Sequence, residues 1–293
     1  MKKILVLLFI ICIIFIVIGL KVYFNRCDIS HFEPFSENNR ILKLETNFKV
    51  ETNFPKIEAA SAFYPFAANL VQNIYNEDLY SNELLEMVST SQAFSDLIDG
   101  KTDIIIATEP SDEQREEIQK SNLELQFKTI YLEPLAIFLN RSNTIENLSI
   151  EQIQRIYYND NLKWSKFSGN NNTIHTYQLE KNNGSQTCFE NLVKNNAICK
   201  NHYEINTMPK IIDRVGFDKS GIGYAFYSFY SKMYNNENIK LININNEKIN
   251  SEDYPLQFEV YLIYRTDNSN NNIKKLVNWL ESDEGKNFIR III

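Results

Sequence analysis

The sequence has little of the chemistry that metal centres and nucleotide-binding sites require. It contains four cysteines and three histidines, and no Cys-x-x-Cys pair is present, so we expect no zinc site. It also lacks a Gly-x-Gly-x-x-Gly motif and the phosphate-binding loop that ends in Gly-Lys-Ser/Thr. The sequence therefore predicts no cofactor.

Positive charge is also scarce. The chain has 30 Lys and Arg residues against 37 Asp and Glu residues, which gives a net charge of -7 and a sequence pI of about 5.2. Since no dense basic tract is present, we expect no nucleic-acid partner. An anionic ligand would need a local site that acts against this overall charge.

The N-terminal segment has no charged residue between Ile4 and Leu20. A run of this length and apolarity predicts a transmembrane helix or signal anchor within residues 1–24. Cleavage by signal peptidase is the alternative, but no Ala-x-Ala-like site follows, and Asn25–Cys27 does not look like a lipoprotein box. We therefore favour an uncleaved anchor followed by a polar linker over residues 25–40.

The charges that flank this run predict its orientation. Lys2 and Lys3 precede it, whereas Lys21 and Arg26 follow it, which slightly favours a cytoplasmic N-terminus. The protein would then be attached to the cell membrane, with the bulk of the chain extracytoplasmic. In an exported domain Cys188 and Cys199 could form a disulfide, although two separate core residues are equally compatible with the sequence.

From about residue 41 onward, short apolar runs alternate with helical patterns. The 44% hydrophobic content is sufficient for one domain or two modest lobes, and the alternation predicts α/β layers with mostly parallel sheets. Ser149 is expected to cap the helix that follows it. The predicted helices are Pro65–Asn76, Ser91–Ile98, Ile150–Tyr157, Cys188–Lys194 and Ile273–Ile289, and the predicted strands are Asp103–Ala107, Leu135–Leu139, Thr173–Tyr177 and Val260–Tyr264.

Three short segments place small hydroxyl residues at the start of a predicted helix. A helix start has free backbone N–H groups and a partial positive charge, so three starts facing one cleft would bind an oxyanion without a basic surface. The alternative is that each Ser or Thr only caps its own helix. The segments are Ala60–Ala62, Thr90–Gln92 and Gly184–Thr187.

Catalysis is not expected from this sequence, which we predict is not that of an enzyme. His31 lies in the predicted linker, and His175 and His202 have no nearby pattern of Asp or Ser. Glu109 and Asp103 are the only titratable candidates for an enzyme on the same fold. Such an enzyme is the least favoured interpretation.

A set of motifs in a fixed order resembles the phosphate-binding proteins of bacterial ABC importers, which have the type II periplasmic-binding-protein fold. Each motif is weak by itself, but together they extend from about Phe54 to Phe288. The matching segments are Pro55–Pro65, Leu97–Ile104, Thr108–Ser111, Leu148–Ile153, Leu162–Ser165, Asn183–Thr187, Ser220–Tyr224 and Tyr254–Leu256.

The resemblance implies an α/β fold of two lobes, with lobe 1 formed by residues 41–136 and 228–293 and lobe 2 by 137–227. It also implies a monomer that captures phosphate or a related small inorganic anion between the lobes and delivers it to an ABC permease. Closure of the lobes would signal that the site is occupied. The candidate ligand-binding residues are Ser61, Ala62, Thr90, Ser91, Thr108, Glu109, Gly184, Ser185, Gln186 and Thr187.

Two departures from the family pattern bear on the ligand. The first loop is Ala59–Ala62, which has fewer hydroxyl donors than the usual Gly-Ser-Thr-like run. Leu179 stands where the family places an Arg, and losing that bidentate contact costs about 1.5–3 kcal/mol. Lys181 is a possible substitute as a point charge. The alternative function is therefore a membrane-anchored sensor or adaptor with another ligand or none.

Overall fold

The computed structural model describes residues 29–193 and 202–293. In this part of the chain, strands and helices alternate through most of the sequence. The strands are β1 Ile57–Ala60, β2 Leu85–Val88, β3 Ile104–Ala107, β4 Leu125–Asn140, β5 Asn147–Leu148, β6 His175–Leu179, β7 Tyr203–Ile205, β8 Gly221–Phe226, β9 Ile239–Leu241, β10 Asn243–Ile244 and β11 Gln257–Arg265. The helices are α1 Tyr64–Ile74, α2 Thr90–Ile98, α3 Asp112–Ser121, α4 Ile150–Tyr158, α5 Gly184–Val193, α6 Met208–Phe217, α7 Asn271–Glu281 and α8 Asp283–Ile292.

The predicted anchor, residues 1–24, lies outside the described residues, and so does Cys199. Among the residues that are described, no helix is both long and apolar enough to cross a membrane. The described part of the predicted linker contains a short 3₁₀ turn, Ser30–Phe32, and contacts α1: the Phe35 N–H donates to Gln72 Oε1 at 2.7 Å.

The first half of the molecule is a parallel β–α unit. Strand β1 pairs in parallel with β2 on one side and with β3 on the other. Ile104, Ile105 and Ile106 of β3 are fully buried, as expected for a strand covered on both faces. Because the three strands are parallel, their carboxyl ends meet at one edge of the sheet, where α1 and α2 begin.

Strand β4 belongs to both halves of the molecule. Its residues 125–134 pair antiparallel with β11, which in turn pairs antiparallel with β3. Its residues 135–139 pair antiparallel with β8. The sheet is therefore mixed. The prediction of mostly parallel pairing is wrong for its centre, because β4 and β11, which lie between the parallel strands of the two halves, pair antiparallel with their neighbours.

The second half repeats the parallel arrangement with different strands. Strand β6 pairs in parallel with β7 and with β8, so the carboxyl ends of these strands also lie at one edge. Helix α5 follows β6 and α6 follows β7. Ser149 caps α4 in a reciprocal pair with Gln152, which confirms the predicted start of that helix.

After β8 the chain forms a single π turn, Phe229–Met233, and returns toward the first half. On the way, β9 pairs with β4 at residues 138–140, and β10 pairs with β5. Residues 239–244, which we assigned to lobe 1, therefore lie against strands of the second half. The division at residues 137 and 228 otherwise stays a prediction.

The C-terminal segment forms two helices instead of the one predicted over Ile273–Ile289. The chain is extended at Ser282, with φ -71° and ψ 166°, which ends α7. The Ser282 hydroxyl accepts the Gly285 N–H at 3.2 Å and caps α8, whose first turn contains Asp283 and Glu284. This sequence is a helix-start signal, and it outweighs the continuous apolar periodicity.

Candidate ligand-binding cleft

Four helix starts face one cavity of about 510 Å³ between the two halves, here called the interlobe cavity. The first half contributes the turn 60–63 before α1 and residues Ser89 and Thr90 at the start of α2. The second half contributes residues 183–185 at the start of α5 and residues 206–209 at the start of α6. This position outside the carboxyl ends of parallel strands is where open α/β sheets bind ligands.

Five of the ten candidate residues line this cavity: Ser61, Ala62, Thr90, Gly184 and Ser185. The structure therefore brings at least one residue from each of the three hydroxyl segments to the same place. Binding of a ligand by these residues stays a prediction.

The other five candidates lie behind or beside the cavity. Ser91 Oγ donates to the Asn182 carbonyl at 3.3 Å, and Glu109 pairs with Arg115 at 2.6 Å. Gln186 accepts from the Tyr224 hydroxyl inside the second half. Thr108 is buried, and Thr187 lines a second cavity, of about 470 Å³.

Gly184 brings the two halves into direct contact. Its N–H donates to Thr90 Oγ1 at 3.1 Å. A Cβ at this position would lie 2.9 Å from Thr108 Oγ1 and 3.0 Å from Thr90 Oγ1, so any side chain would push the halves apart. Thr108 also lies against the thiol of Cys188. Burial raises the pKa of this thiol, and the contact with Thr108 only partly offsets the rise.

Asn182 connects α5 to the starts of α2, through Ser91, and of α3 in the first half. Its Oδ1 accepts the Ser111 hydroxyl at 2.6 Å, and its Nδ2 donates to Glu113 Oε2 at 2.7 Å. Its carbonyl oxygen accepts Gln114 Nε2 at 3.3 Å. Asn182 has a positive φ of 65°, a conformation that Asn adopts more easily than most residues.

Two of the four helix starts at the cavity are already capped. Ser89 Oγ accepts the Gln92 N–H at 3.1 Å at the start of α2, so the capping hydroxyl precedes the predicted Thr90–Gln92 segment. Asn183 Oδ1 accepts both the backbone N–H and the hydroxyl of Ser185, at 3.1 and 2.9 Å. Both caps, Ser89 and Asn183, stand directly before the predicted segments, so the alternative in which a Ser or Thr of the segment caps its own helix is not observed for these two helices.

The starts of α1 and α6 have no side-chain cap, and neither does the 3₁₀ turn Ser61–Phe63, which leads into α1 and lines the cavity. They come from opposite halves, and each carries a proline in its first turn, Pro65 and Pro209. Thr207 precedes α6, lines the cavity and makes no capping bond with its hydroxyl. The free N–H groups of an uncapped start can bind a ligand oxygen.

No charged side chain lines the interlobe cavity among residues 29–193 and 202–293. Leu179 is buried, and its N–H donates to Gln186 Oε1 at 3.1 Å. Lys181 does not take the place of the missing Arg, because its ammonium lies at the second cavity, 3.5 Å from Glu113. No group of His, Cys, Asp and Glu within the described chain is arranged to hold a metal ion.

Sequence reasoning missed the start of α6 and the apolar part of the wall. Thr207-Met208-Pro209 is a helix-start signal, a threonine with proline in the first turn, and could have been found. The apolar residues come from segments far apart in the chain, so no local pattern marks them. They include Phe63, Met87, Met208, Phe226 and Phe229.

Comparison with known protein families shows the superfamily to which this chain belongs. The family described as the PBP superfamily domain matches residues 52–292. The chain belongs to the PBP superfamily. No curated protein matches it significantly. This match confirms the predicted two-lobed α/β fold. It also confirms, at the level of the superfamily, the resemblance to a divergent member of the phosphate-binding proteins.

Solved structures with this PBP-superfamily fold include transport receptors and a regulator. A putative phosphate ABC transporter substrate-binding protein from Clostridium perfringens, with bound phosphate, has a TM-score of 0.63 and 16% identity, over 83% of this chain and 97% of that chain. An ABC-type phosphate transport receptor from Vibrio cholerae has a TM-score of 0.58 and 18% identity, over 80% and 97%. The Synechocystis CcmR regulatory domain in complex with 2-PG has a TM-score of 0.51 and 10% identity, over 81% and 99%.

Proposed function

We propose that this chain is the extracytoplasmic solute-binding component of an ABC importer and captures phosphate or a related small oxyanion in the interlobe cavity. The observation that supports this most is a pair of uncapped starts that face the same cavity from opposite halves: the 3₁₀ turn Ser61–Phe63 that leads into α1, and the start of α6. An oxygen anion bound between them would contact both lobes at once. Binding would therefore stabilise the closed arrangement that a permease recognises.

The helix starts supply the positive potential that the rest of the protein lacks. Each start carries about half a positive charge, and the effect is strongest in a partly buried site. The hydroxyls of Ser61, Thr90 and Thr207 add donors at the cavity wall. A divalent anion therefore has partners here although the chain has a net charge of -7.

The remaining parts of the proposal follow the family pattern. Lobe 1, residues 41–136 and 228–293, and lobe 2, residues 137–227, close on the ligand as a monomer. Residues 1–24 attach the protein to the membrane, which keeps it close to its permease. Phosphate is bound by the Clostridium perfringens protein of the same fold, as its structure contains phosphate.

Calorimetric titration of the full chain in lipid nanodiscs with phosphate and sulfate tests this function. We expect saturable heat at millimolar or lower concentration. The Thr207→Ala variant should weaken binding about tenfold, since a hydrogen bond to a charged ligand contributes about 1.5 kcal/mol. Thr266→Ala is the matched control, because Thr266 is exposed and does not line the cavity. If neither phosphate nor sulfate gives heat of binding, the proposal is rejected.

A membrane-anchored sensor or adaptor is the second candidate. Leu179, at the position of the expected Arg, favours it because the usual cation for phosphate is missing. The two functions differ in the partner that responds to the loaded protein. An importer component stimulates the ATPase activity of a permease, whereas a sensor changes the activity of a signalling partner in the absence of transport.

A further inference from the structure

The interlobe cavity is larger than an inorganic oxyanion requires. Its volume of about 510 Å³ lies within the range of about 300–1,000 Å³ that is typical of pockets for organic ligands. A single tetrahedral oxyanion, bound between the starts of α1 and α6, would fill only a small part of it.

Apolar side chains from both halves surround the remaining space. Phe63 lies in the turn before α1 and Phe226 ends β8, and their ring centroids are 5.1 Å apart, so the apolar wall crosses the cleft. Phe229 extends it from the π turn. These three rings are only 1–2% exposed, so they form a packed, fixed layer behind the cavity surface.

Two methionines complete the wall on opposite sides of the cleft. Met87 lies in β2 and Met208 is the first residue of α6. Methionine side chains are unbranched and adapt to ligands of different shape. The wall thus combines fixed aromatic rings with flexible methionine side chains, and this combination suits a small organic group.

We propose that the ligand is an organic oxyanion: a phosphonate or phosphate-ester head group that carries a short apolar substituent. This inference rests on the proposed function and names its substrate class. The head group binds the uncapped starts of α1 and α6, and the substituent lies against Met87 and Met208, in front of the packed rings. The absence of charged residues from the described cavity wall fits this class, because burial of the substituent replaces the affinity that a guanidinium would supply.

A homologous series of ligands tests the inference by calorimetry on the full chain in lipid nanodiscs. The probes are inorganic phosphate, methylphosphonate, propylphosphonate, butylphosphonate and the neutral alcohol 1-butanol. We expect affinity to rise about fourfold for each added methylene, which is the effect of burying one such group. 1-Butanol should bind much more weakly than butylphosphonate, because it lacks the anionic head group.

Methionine variants show whether the gain arises in this cavity. Met208→Gln should flatten the dependence of affinity on chain length, since glutamine has a similar shape but a polar end. Met87→Gln provides the same test on the other half and does not depend on the folding of the first variant. Met233→Gln is the matched control, because Met233 is half-buried outside the cavity lining and its replacement should leave the series unchanged.

Three results would overturn the inference, and they differ in what they say about the proposed function. If phosphate binds and the longer phosphonates bind no better, the substrate class is wrong while oxyanion capture stands. If 1-butanol binds as tightly as butylphosphonate, the anionic head group is not recognised, which contradicts both. If none of the probes binds, both the class and the proposed function are wrong.

Discussion

At the scale of single residues, Gly184 sets how closely the two halves approach. A Cβ there would lie within 3.0 Å of hydroxyls on both Thr90 and Thr108. We expect Gly184→Ala to weaken oxyanion binding and to destabilise the closed arrangement by about 1–3 kcal/mol, the usual effect of overpacking. Titration calorimetry and equilibrium unfolding would measure the two effects.

The control for this prediction is a second variant that makes room. Thr108→Ala removes the oxygen nearest to the added Cβ, so the double variant Gly184→Ala/Thr108→Ala should recover part of the loss. Additive losses in the two single variants would show that the contact between the halves does not limit closure.

Glu133 is a buried carboxyl group at the point where β4 passes from one half to the other. It is 1% exposed, and its two oxygens accept the N–H and the hydroxyl of Ser228 at 2.7 and 2.5 Å. Burial raises the pKa of Glu133 to about 7, although the bonds from Ser228 and the charge of Lys232 lower it. The folded chain therefore holds a proton on Glu133 in a pH range in which the unfolded chain does not.

This raised pKa predicts the direction of a pH effect on stability. Because the folded state binds the extra proton, the contribution of Glu133 is fully present below pH 4.5 and is lost as the pH rises to about 7. The loss amounts to about 3 kcal/mol. Equilibrium unfolding at pH 5 to 8 should show the wild type losing stability relative to Glu133→Gln, which does not titrate. A difference between the two that does not change with pH would contradict the prediction.

At the scale of structural elements, Asn182 holds the start of α5 against α3. Asn182→Gly removes the bonds to Ser111 and Glu113 while it tolerates the positive φ of 65°. We expect the halves to separate more often, because about two hydrogen bonds of roughly 1 kcal/mol each are lost. Hydrogen exchange at the Gly184 N–H, which donates to Thr90 across the cleft, should then become faster.

Asn161→Gly is the matched control for this variant, since Asn161 has a φ of 62° and is exposed in the second half. It introduces the same change in chain flexibility but removes no contact between the halves. If the Gly184 N–H exchanges at the same rate in both variants, Asn182 does not hold the cleft closed.

Local sequence signals predicted several elements well where the signal lies within one turn. Ser149 begins α4 as expected, and the β-branched run Ile104–Ile106 forms a buried strand. The prediction of a single C-terminal helix was wrong. The apolar periodicity continues through Ser282, whereas the cap that divides α7 from α8 depends on only a few residues. The start of α2 was placed close to its true position, but its cap is Ser89.

At the scale of the whole molecule, the ordered motifs predicted the superfamily and the two-lobed fold. The interlobe cavity was predicted only in part, since Ser61, Thr90 and Ser185 meet there as expected. Its apolar wall was not predicted, because Phe63, Phe226 and Phe229 become neighbours only through the crossing of β4 between the halves. The pairing of the uncapped starts of α1 and α6 also depends on this long-range arrangement.

The central claim is that helix starts from both halves bind one organic oxyanion between them. A crystal structure with 2-bromoethylphosphonate, collected at the bromine absorption edge, tests it most directly. The account predicts the phosphonate beside Ser61 and Thr207 and an anomalous bromine peak against Met87 or Met208. A phosphonate that contacts only one half, or a bromine peak outside this cavity, would contradict it.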